Sequence, residues 1–286
     1  MDANPTYHGQ PVTAEIALAL LQWQAEMGAD EPILDAPLDR FDLPAASETR
    51  AAPPIMTAAP SLPGIDAPAT APVAPRPADG PDIAALVAQA QALAEGADTL
   101  DALAAAQEGF DGIELKKGAR NFAFADGNRD ARVLILGEAP GDEEDRQGRP
   151  FVGRAGQFLD RMFAAIGLAR DAVDAEKSLY ITNVLPWRPP GNRDPSPDEM
   201  AMMLPFVRRH IALMDPQFIV LMGNTPCQAA LGRRGILRLR GTWTQAFDKP
   251  ALPMTHPAYL LRNPVAKREA WADLLSLAER LDAATV

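Results

Sequence analysis

The sequence RVLILGEAPG, residues 132–141, decides the fold class of this chain. Its run of apolar residues ends in a glycine, a pattern typical of a buried strand followed by a tight loop. Short apolar runs recur in LYITNV (179–184), FIVLMG (218–223) and ALPM (251–254). We therefore predict four buried strands in this part of the chain.

Helical patterns alternate with these strands. Residues 157–166 are apolar with a 3.6-residue period, and Ser196-Pro197 is a typical cap for a helix that runs to about Met214. Shorter and longer helices are predicted over 225–231 and 263–281. The alternation predicts an α/β fold with three α/β/α layers and a central, mainly parallel four-stranded sheet. Functional residues of such sheets lie in the loops after the carboxyl ends of the strands.

The N-terminal third has a different composition. We expect residues 1–42 to be a separate segment with one amphipathic helix over 12–28. Residues 43–81 hold many of the chain's 28 prolines and predict a disordered Pro/Ala-rich linker. The globular domain is predicted to span 82–286, with a helical lead-in over 82–109.

Charge divides the chain at the same place. The whole chain has a net charge of −11, which argues against a nucleic-acid partner. Residues 1–109 alone have a net charge of −13, and residues 110–286 have +2. The acidity therefore belongs to the N-terminal third and does not exclude DNA binding by the rest. The first residues lack the pattern of a signal peptide, and no apolar run reaches about 18 residues, so we expect a cytoplasmic protein.

Four polar loops follow the predicted strands. They are GEAPGDEED with RQGRPFVG (137–153), Thr182-Asn183 with RPPGNR (188–193), GNT (223–225) and HPAYLLR (256–262). Because all four follow strands of one sheet, we expect them to meet at one edge.

These segments, in this order over roughly residues 110–280, resemble the signature segments of type 4 uracil-DNA glycosylases, the thermostable iron–sulfur class. GEAPG followed by ED, GRPFVGRAGQ, YITNV with RPPGNRDP, and THPAYLLR with KREAW carry the resemblance. It implies a base-excision-repair enzyme that flips uracil out of DNA and hydrolyses its N-glycosidic bond, which leaves an abasic site. Uracil-containing DNA is then the expected partner.

The resemblance implies a uracil pocket formed by Glu138, Ala139, Phe151, Asn183 and His256. An Asn side chain has one acceptor and two donors, so it can pair with N3–H and O4 of uracil. Phe151 would stack on the flipped base. A neutral His256 would donate to uracil O2, where negative charge grows as the bond breaks.

The predicted catalytic residues are Glu138, His256 and Glu144. Glu138 is the candidate anion beside the cationic sugar, with Glu144 or Asp145 behind it to orient the water. Ala139 takes a place where an Asp often occurs in the wider superfamily. We therefore expect catalysis to depend more on electrostatics than on a dedicated general base.

DNA contacts are predicted for seven residues of the loops. Arginines would bind phosphates, and the residues after the His-Pro pair would fill the space that the base leaves. The seven residues are Arg149, Arg188, Arg193, Tyr259, Leu260, Leu261 and Arg262.

The family normally holds a [4Fe–4S] cluster on four cysteines, but this chain has one, Cys227. By the resemblance, the four cysteine positions are filled by Phe110, Ile113, Trp187 and Met203. Because such a cluster needs thiolates, we expect no cofactor and no metal, and apolar side chains packed in its place.

Other interpretations remain open at this point. A catalytically weak or inactive glycosylase-derived module for binding DNA or protein would also fit the lost cysteines and the added N-terminal segment. A different deaminated base, such as hypoxanthine, is a third hypothesis. Taken singly, Phe151 could be a core residue, His256 an ordinary loop residue, and residues 142–145 a solvated run. We further expect a monomer and a protein partner for the N-terminal helix.

Overall fold

The computed structural model describes residues 6–7, 10–11 and 82–284. The predicted helix over 12–28 and the predicted linker over 43–81 lie outside these residues. In the N-terminal unit, strands β1 (Thr6–Tyr7) and β2 (Gln10–Pro11) form an antiparallel pair.

The C-terminal unit contains a six-stranded sheet. Its strands are β3 (Ala125–Gly127), β4 (Val133–Gly137), β5 (Leu179–Asn183), β6 (Phe218–Met222), β7 (Thr244–Ala246) and β8 (Lys249–Met254). The spatial order is β3-β5-β4-β6-β8-β7. The four inner strands are mutually parallel, whereas β3 and β7 pair antiparallel at the two edges. The four predicted strands are thus confirmed, and the edge strands are additional.

Helices precede, connect and follow these strands. They are α1 (Ile83–Glu95), α2 (Leu100–Gly109), α3 (Leu115–Gly118), α4 (Asp142–Gln147), α5 (Arg154–Ala164), α6 (Pro197–Met214), α7 (Asn224–Leu231), α8 (Ile236–Leu239), α9 (Pro257–Arg262) and α10 (Lys267–Ala283). Short 3-10 turns lie at Ala175–Lys177, Pro190–Asn192 and Pro264–Ala266. Within the described residues, no helix is long and apolar enough to span a membrane.

The predicted cap of α6 is present. Ser196 Oγ accepts a hydrogen bond from the Glu199 amide, and Glu199 Oε2 accepts one from the Ser196 amide. This reciprocal pair satisfies two backbone donors that a helix start leaves free.

Side chains of the inner strands alternate between two apolar layers. Leu134 and Leu136 of β4 pack on one face with α1, α2 and α6, which we call the α6 side. Val133 and Ile135 pack on the other face with α5 and α10, the α10 side. Every residue of β4, β5 and β6 is buried because helices cover both faces. The predicted three-layer α/β/α class is confirmed.

Candidate active site

A cleft of about 570 Å³ lies beyond the carboxyl ends of β4, β6 and β8. All four polar loops contribute to its walls, as the sheet rule predicts. The sequence-predicted site residues that line it are Glu138, Ala139, Glu144, Phe151, Arg193, His256, Tyr259 and Arg262.

Asn183 is the last residue of β5 and lies beside Gly137 in the parallel register. Its side chain is 5% exposed, and neither Oδ1 nor Nδ2 has a hydrogen-bond partner among the described residues. Buried polar groups are nearly always paired, so two unpaired atoms on one side chain are unusual. Such an amide is a candidate ligand-binding group.

Phe151 packs beside Asn183. An ideal Cβ on Gly137 would lie 2.2 Å from Asn183 Oδ1 and 2.4 Å from Phe151 Cε2, so both side chains occupy the space over this glycine. On its other side, the Phe151 ring centroid is 5.4 Å from that of His256, with an interplanar angle of 31°. Phe151 is therefore the ring that links the two polar residues of the predicted pocket.

His256 caps the start of α9, where its Nδ1 accepts a hydrogen bond of 3.2 Å from the Ala258 amide. Burial, aided by the positive charge of Arg262 and opposed by Glu144, lowers the pKa of His256 to about 4. The residue is half-buried, with protein on most sides of the ring and the cleft on the remaining side. His256 is therefore neutral near pH 7, with its proton on Nε2.

Glu138 follows β4 directly. Its Oε2 accepts a hydrogen bond of 2.6 Å from Thr225 Oγ1. Burial raises the pKa of Glu138, the Thr225 bond lowers it, and Asp194 and Arg234 act in opposite directions with smaller effect. Thr225, Asn192, Asp194 and Arg234 were not predicted as site residues, although Thr225 and Asn192 belong to predicted site loops.

The two acidic residues behind Glu138 bind backbone. Glu144 Oε1 accepts hydrogen bonds from the amides of Val152 (2.9 Å) and Gly153 (2.8 Å), just after Phe151. Its Oε2 has no hydrogen bond within the part of the chain that the structure describes. Asp145 is buried and accepts from the amides of Arg120 and Asn121. Asp145 therefore braces a loop and does not line the cleft.

Most of the predicted DNA-contacting arginines are paired with carboxylates. Arg188 binds Asp142 and Asn192, Arg193 binds Glu199 in a bidentate pair, and Arg149 binds Asp126. Of these three arginines, only Arg193 lines the cleft.

The loop after His256 divides into exposed and buried residues. Tyr259 and Arg262 line the cleft, and Leu261 is half-buried. Leu260 is 0% exposed in the core of the α10 side. The predicted DNA contact of Leu260 is therefore wrong. This short helix places the Leu260 side chain in the core, where it packs.

The positions that the resemblance assigns to cluster cysteines do not fit a [4Fe–4S] cluster. Phe110, Ile113, Trp187 and Met203 are all buried in the apolar core of the α6 side. Their contacts include the ring pairs Phe110–Phe206 (5.7 Å) and Phe122–Trp187 (5.2 Å) and a hydrogen bond from Gln107 Nε2 to Met203 Sδ. These side chains offer no thiolate, which the cluster requires.

Other metal-binding groups are also missing from the described residues. No set of three or more His, Cys, Asp or Glu side chains is arranged to hold a metal there. The single cysteine, Cys227, is buried in α7, and burial raises the pKa of its thiol to about 12. A thiol with so high a pKa is a poor metal ligand.

Comparison with known proteins agrees with this fold and site. The profile of the Uracil DNA glycosylase superfamily matches residues 124–275. A type-4 uracil-DNA glycosylase of Thermotoga maritima is 40% identical over 148 residues, which cover 50% of this chain and 73% of the relative. The corresponding protein of Archaeoglobus fulgidus is 35% identical over 177 residues, covering 58% of this chain and 85% of the relative.

A third relative extends the match. The type-4 uracil-DNA glycosylase of Saccharolobus solfataricus is 33% identical over 194 residues, covering 64% of this chain and 87% of the relative. The fold and the matched segments place the protein in the uracil-DNA glycosylase superfamily. Within it, this chain belongs to the type 4 uracil-DNA glycosylase family, so the resemblance seen in the sequence is confirmed.

Proposed function

We propose that this chain excises uracil from DNA by hydrolysing the N-glycosidic bond, with Asn183, Phe151 and His256 as the base pocket. Membership of the type 4 family supports the activity. The roles of individual residues are our own assignment from the geometry around the cleft.

The unpaired amide of Asn183 is the observation that carries this assignment. Uracil presents an O4 acceptor next to an N3–H donor, and Asn183 presents the complementary Nδ2–H and Oδ1. Leaving a buried polar group unpaired costs about 1–3 kcal/mol. A flipped uracil would recover that free energy, whereas thymine would add a methyl group and cytosine would place a donor against a donor.

Phe151 and His256 complete the pocket. We assign Phe151 to stacking on the base, worth roughly 1–3 kcal/mol. As the glycosidic bond breaks, its electron pair stays on uracil N1 and charge is delocalised to O2. The Nε2–H of neutral His256 donates to that oxygen, because Nδ1 is already occupied by the Ala258 amide.

Carboxylates act on the sugar side. We assign Glu138, held by Thr225, to stabilising the positive charge that develops on the sugar. Glu144 fixes the Phe151 loop with one oxygen, and its second oxygen is left to orient the attacking water. Water then bonds to the sugar carbon, and its proton is lost to solvent or a carboxylate.

We assign the DNA contacts to the rim of the cleft. Arg149, Arg188, Arg193 and Arg262 would bind phosphates, and Tyr259 with Leu261 would fill the gap left by the base. We also propose that the chain folds and acts without an iron–sulfur cluster, since the four apolar side chains fill that region. The domain limits, the monomeric state, the cytoplasmic location and a protein partner for the N-terminal segment stay predictions.

The proposal is tested with an oligonucleotide that carries one uracil. Purified protein is incubated with it, and alkali then cleaves the strand at abasic sites. We expect cleavage at uracil and none at thymine mispairs, with hypoxanthine and xanthine as further substrates in the panel. An intact uracil strand after prolonged incubation would favour the non-catalytic DNA-binding module, and cleavage at hypoxanthine alone would change the substrate.

Asn183→Asp tests the assigned base reader. A protonated or ionised carboxyl group can accept from the exocyclic amine of cytosine, so selectivity should relax toward cytosine. Asn128→Asp is the matched control, because Asn128 binds the backbone of residues 172 and 173 away from the cleft. An Asn183→Asp protein with unchanged rate and selectivity would remove Asn183 from the pocket.

A further inference from the structure

The backbone of Phe151 has an unusual conformation. Its φ is 53°, in the left-handed region that side-chain-bearing residues other than Asn and Asp seldom adopt. Gly156 packs against it so closely that an ideal Cβ there would lie 1.8 Å from the Phe151 carbonyl oxygen. A strained conformation of this kind persists only where surrounding contacts hold it.

A largely buried arginine side chain outside the predicted site supplies those contacts. Arg170 Nη2 donates to the Phe151 carbonyl (2.7 Å), and Nη1 donates to the Pro150 carbonyl (3.0 Å). On the amide side of the same loop, Glu144 accepts from the next two residues. The loop that presents Phe151 is therefore held by a cation on its carbonyls and by an anion on its amides.

Two carboxylates fix Arg170 itself. Its Nε donates to Asp160 and its Nη1 to Asp126, both at 2.8 Å, and its side chain is 11% exposed. Burial alone would raise the pKa of Asp126, but hydrogen bonds from Arg149 and Arg170 outweigh it and keep that pKa below the usual value. Only the planar, five-donor guanidinium can serve two carbonyls and two carboxylates together.

Asp126 connects this arginine to the base reader. It lies on β3, opposite Ile181 of β5, and Asn183 ends the same strand. Arg170 thus links the Phe151 loop to β3, which pairs with the strand that carries Asn183.

We propose that Arg170 is a positioning residue for uracil excision, which holds the Phe151 backbone so that its ring stacks on the flipped base opposite Asn183. The inference rests on the proposed function of Phe151. It adds a residue that contacts neither the base nor the cleft. If Arg170 had only a structural role, its loss would weaken binding equally to DNA with a flipped base and to DNA without one.

The test compares binding to two duplexes. One carries 2′-fluoro-2′-deoxyuridine, whose glycosidic bond resists cleavage, and the other carries a tetrahydrofuran abasic analogue with no base to stack. Arg170→Met should weaken binding to the fluorinated duplex by about tenfold, within the range of one lost stacking contact. Its affinity for the abasic duplex should be unchanged. An equal loss on both duplexes would overturn the proposal.

Two further variants guard against a folding defect. Arg170→Lys keeps the positive charge between Asp126 and Asp160 but cannot reach both carbonyls, so it should fold and show the same selective loss. Arg240→Met removes a comparable buried pair with Asp273, away from the cleft, and should lower stability without any selective loss. An Arg170→Lys protein with wild-type affinity for the fluorinated duplex would contradict the positioning role.

A double-mutant cycle separates the two proposals. In a Phe151→Ala background, Arg170→Met should weaken binding to the fluorinated duplex no further, because it acts through Phe151. A full additional tenfold loss there would overturn the inference. If the unmodified chain neither binds nor cleaves uracil DNA, the proposed function fails instead.

Discussion

The side-chain oxygen of Asn183 occupies the position above Gly137 that a Cβ would need: the two would be 2.2 Å apart. Parallel pairing of β4 and β5 sets Gly137 beside Asn183, so the strand register creates this contact. The missing Cβ leaves room for both the amide and the Phe151 ring. The packing of Asn183 and Phe151 over this position thus explains the glycine of the GEAPG segment.

Gly137→Ala should abolish most activity while the chain stays folded. The new methyl group must displace Asn183 or Phe151, and a shift of about 1 Å at a reacting group can lower the rate about 100-fold. Overpacking should lower the free energy of unfolding by about 1–3 kcal/mol. Uracil excision rates and denaturant unfolding of the same sample check both values. Gly109→Ala is the control, since a Cβ at Gly109 meets nothing within 4 Å, and near-normal Gly137→Ala activity would refute the described pocket.

Thr225→Val should shift the pH dependence of excision. Burial already raises the pKa of Glu138, and the hydrogen bond from Thr225 opposes that rise. Without the bond, the pKa of Glu138 increases, so the carboxylate is lost at higher pH and the acidic limb of the rate profile moves to higher pH. Thr225→Ser keeps the hydroxyl and should keep the profile. Identical limbs for Val and Ser variants would exclude Glu138 as the anion.

Acid should destabilise the fold through two buried histidine rings. Burial lowers the pKa of His210 to about 3 and that of His256 to about 4, from 6.5. Protons therefore bind these histidines more strongly in the unfolded chain than in the folded one. The stability that the two neutral rings contribute is present above pH 6.5 and is lost as the pH falls toward their folded-state pKa values. We expect a loss of roughly 2 kcal/mol per pH unit between pH 6 and 5.

Urea unfolding at several pH values measures this slope. His210 is fully enclosed, with its Nε2 hydrogen-bonded to Tyr180 Oη at 2.9 Å. His210→Gln removes one titrating group and should reduce the slope between pH 6 and 5 by about half. Stability that is flat over this interval would mean that the two rings are not neutral in the folded protein.

Arg188→Met should weaken binding to any DNA duplex, with or without uracil. When Arg188 exchanges Asp142 for a DNA phosphate, about one counterion is released from the DNA. Arg188→Met removes this contact, so the slope of log affinity against log salt should decrease in magnitude by about one. Arg129→Met is a matched control, because Arg129 also pairs with a surface carboxylate, Asp101, but belongs to none of the four polar loops that follow the strands. A salt slope equal to that of the unmodified chain would place DNA elsewhere on the protein.

Local sequence patterns were sufficient for the parallel core of the fold. The runs around Leu134, Ile181 and Val220 are apolar on both faces of the strand. This pattern indicates a sheet that helices cover on both sides. The edge strands β3 and β7 were missed because each has only three residues, of which none in β3 and one in β7 is buried. These segments are strands because they pair with a neighbouring strand, and their own sequences carry no strand pattern.

The candidate site was predictable at the level of loops and less so at the level of contacts. Asn183 and His256 could be located because each follows a recognisable strand. The burial of Leu260, the pairing of Arg188 with Asp142 and the role of Arg170 depend on residues that are distant in sequence. Such long-range contacts leave no periodic signal in a single chain.

Excision by iron-free protein is the most direct test of the whole account. Chain purified from iron-depleted cells is analysed for bound iron and, in the same sample, for single-turnover cleavage of a uracil oligonucleotide. We predict complete excision with no stoichiometric iron and no visible absorbance from a cluster. Excision that appears only when iron and sulfide are restored, or no excision in either sample, would contradict the account.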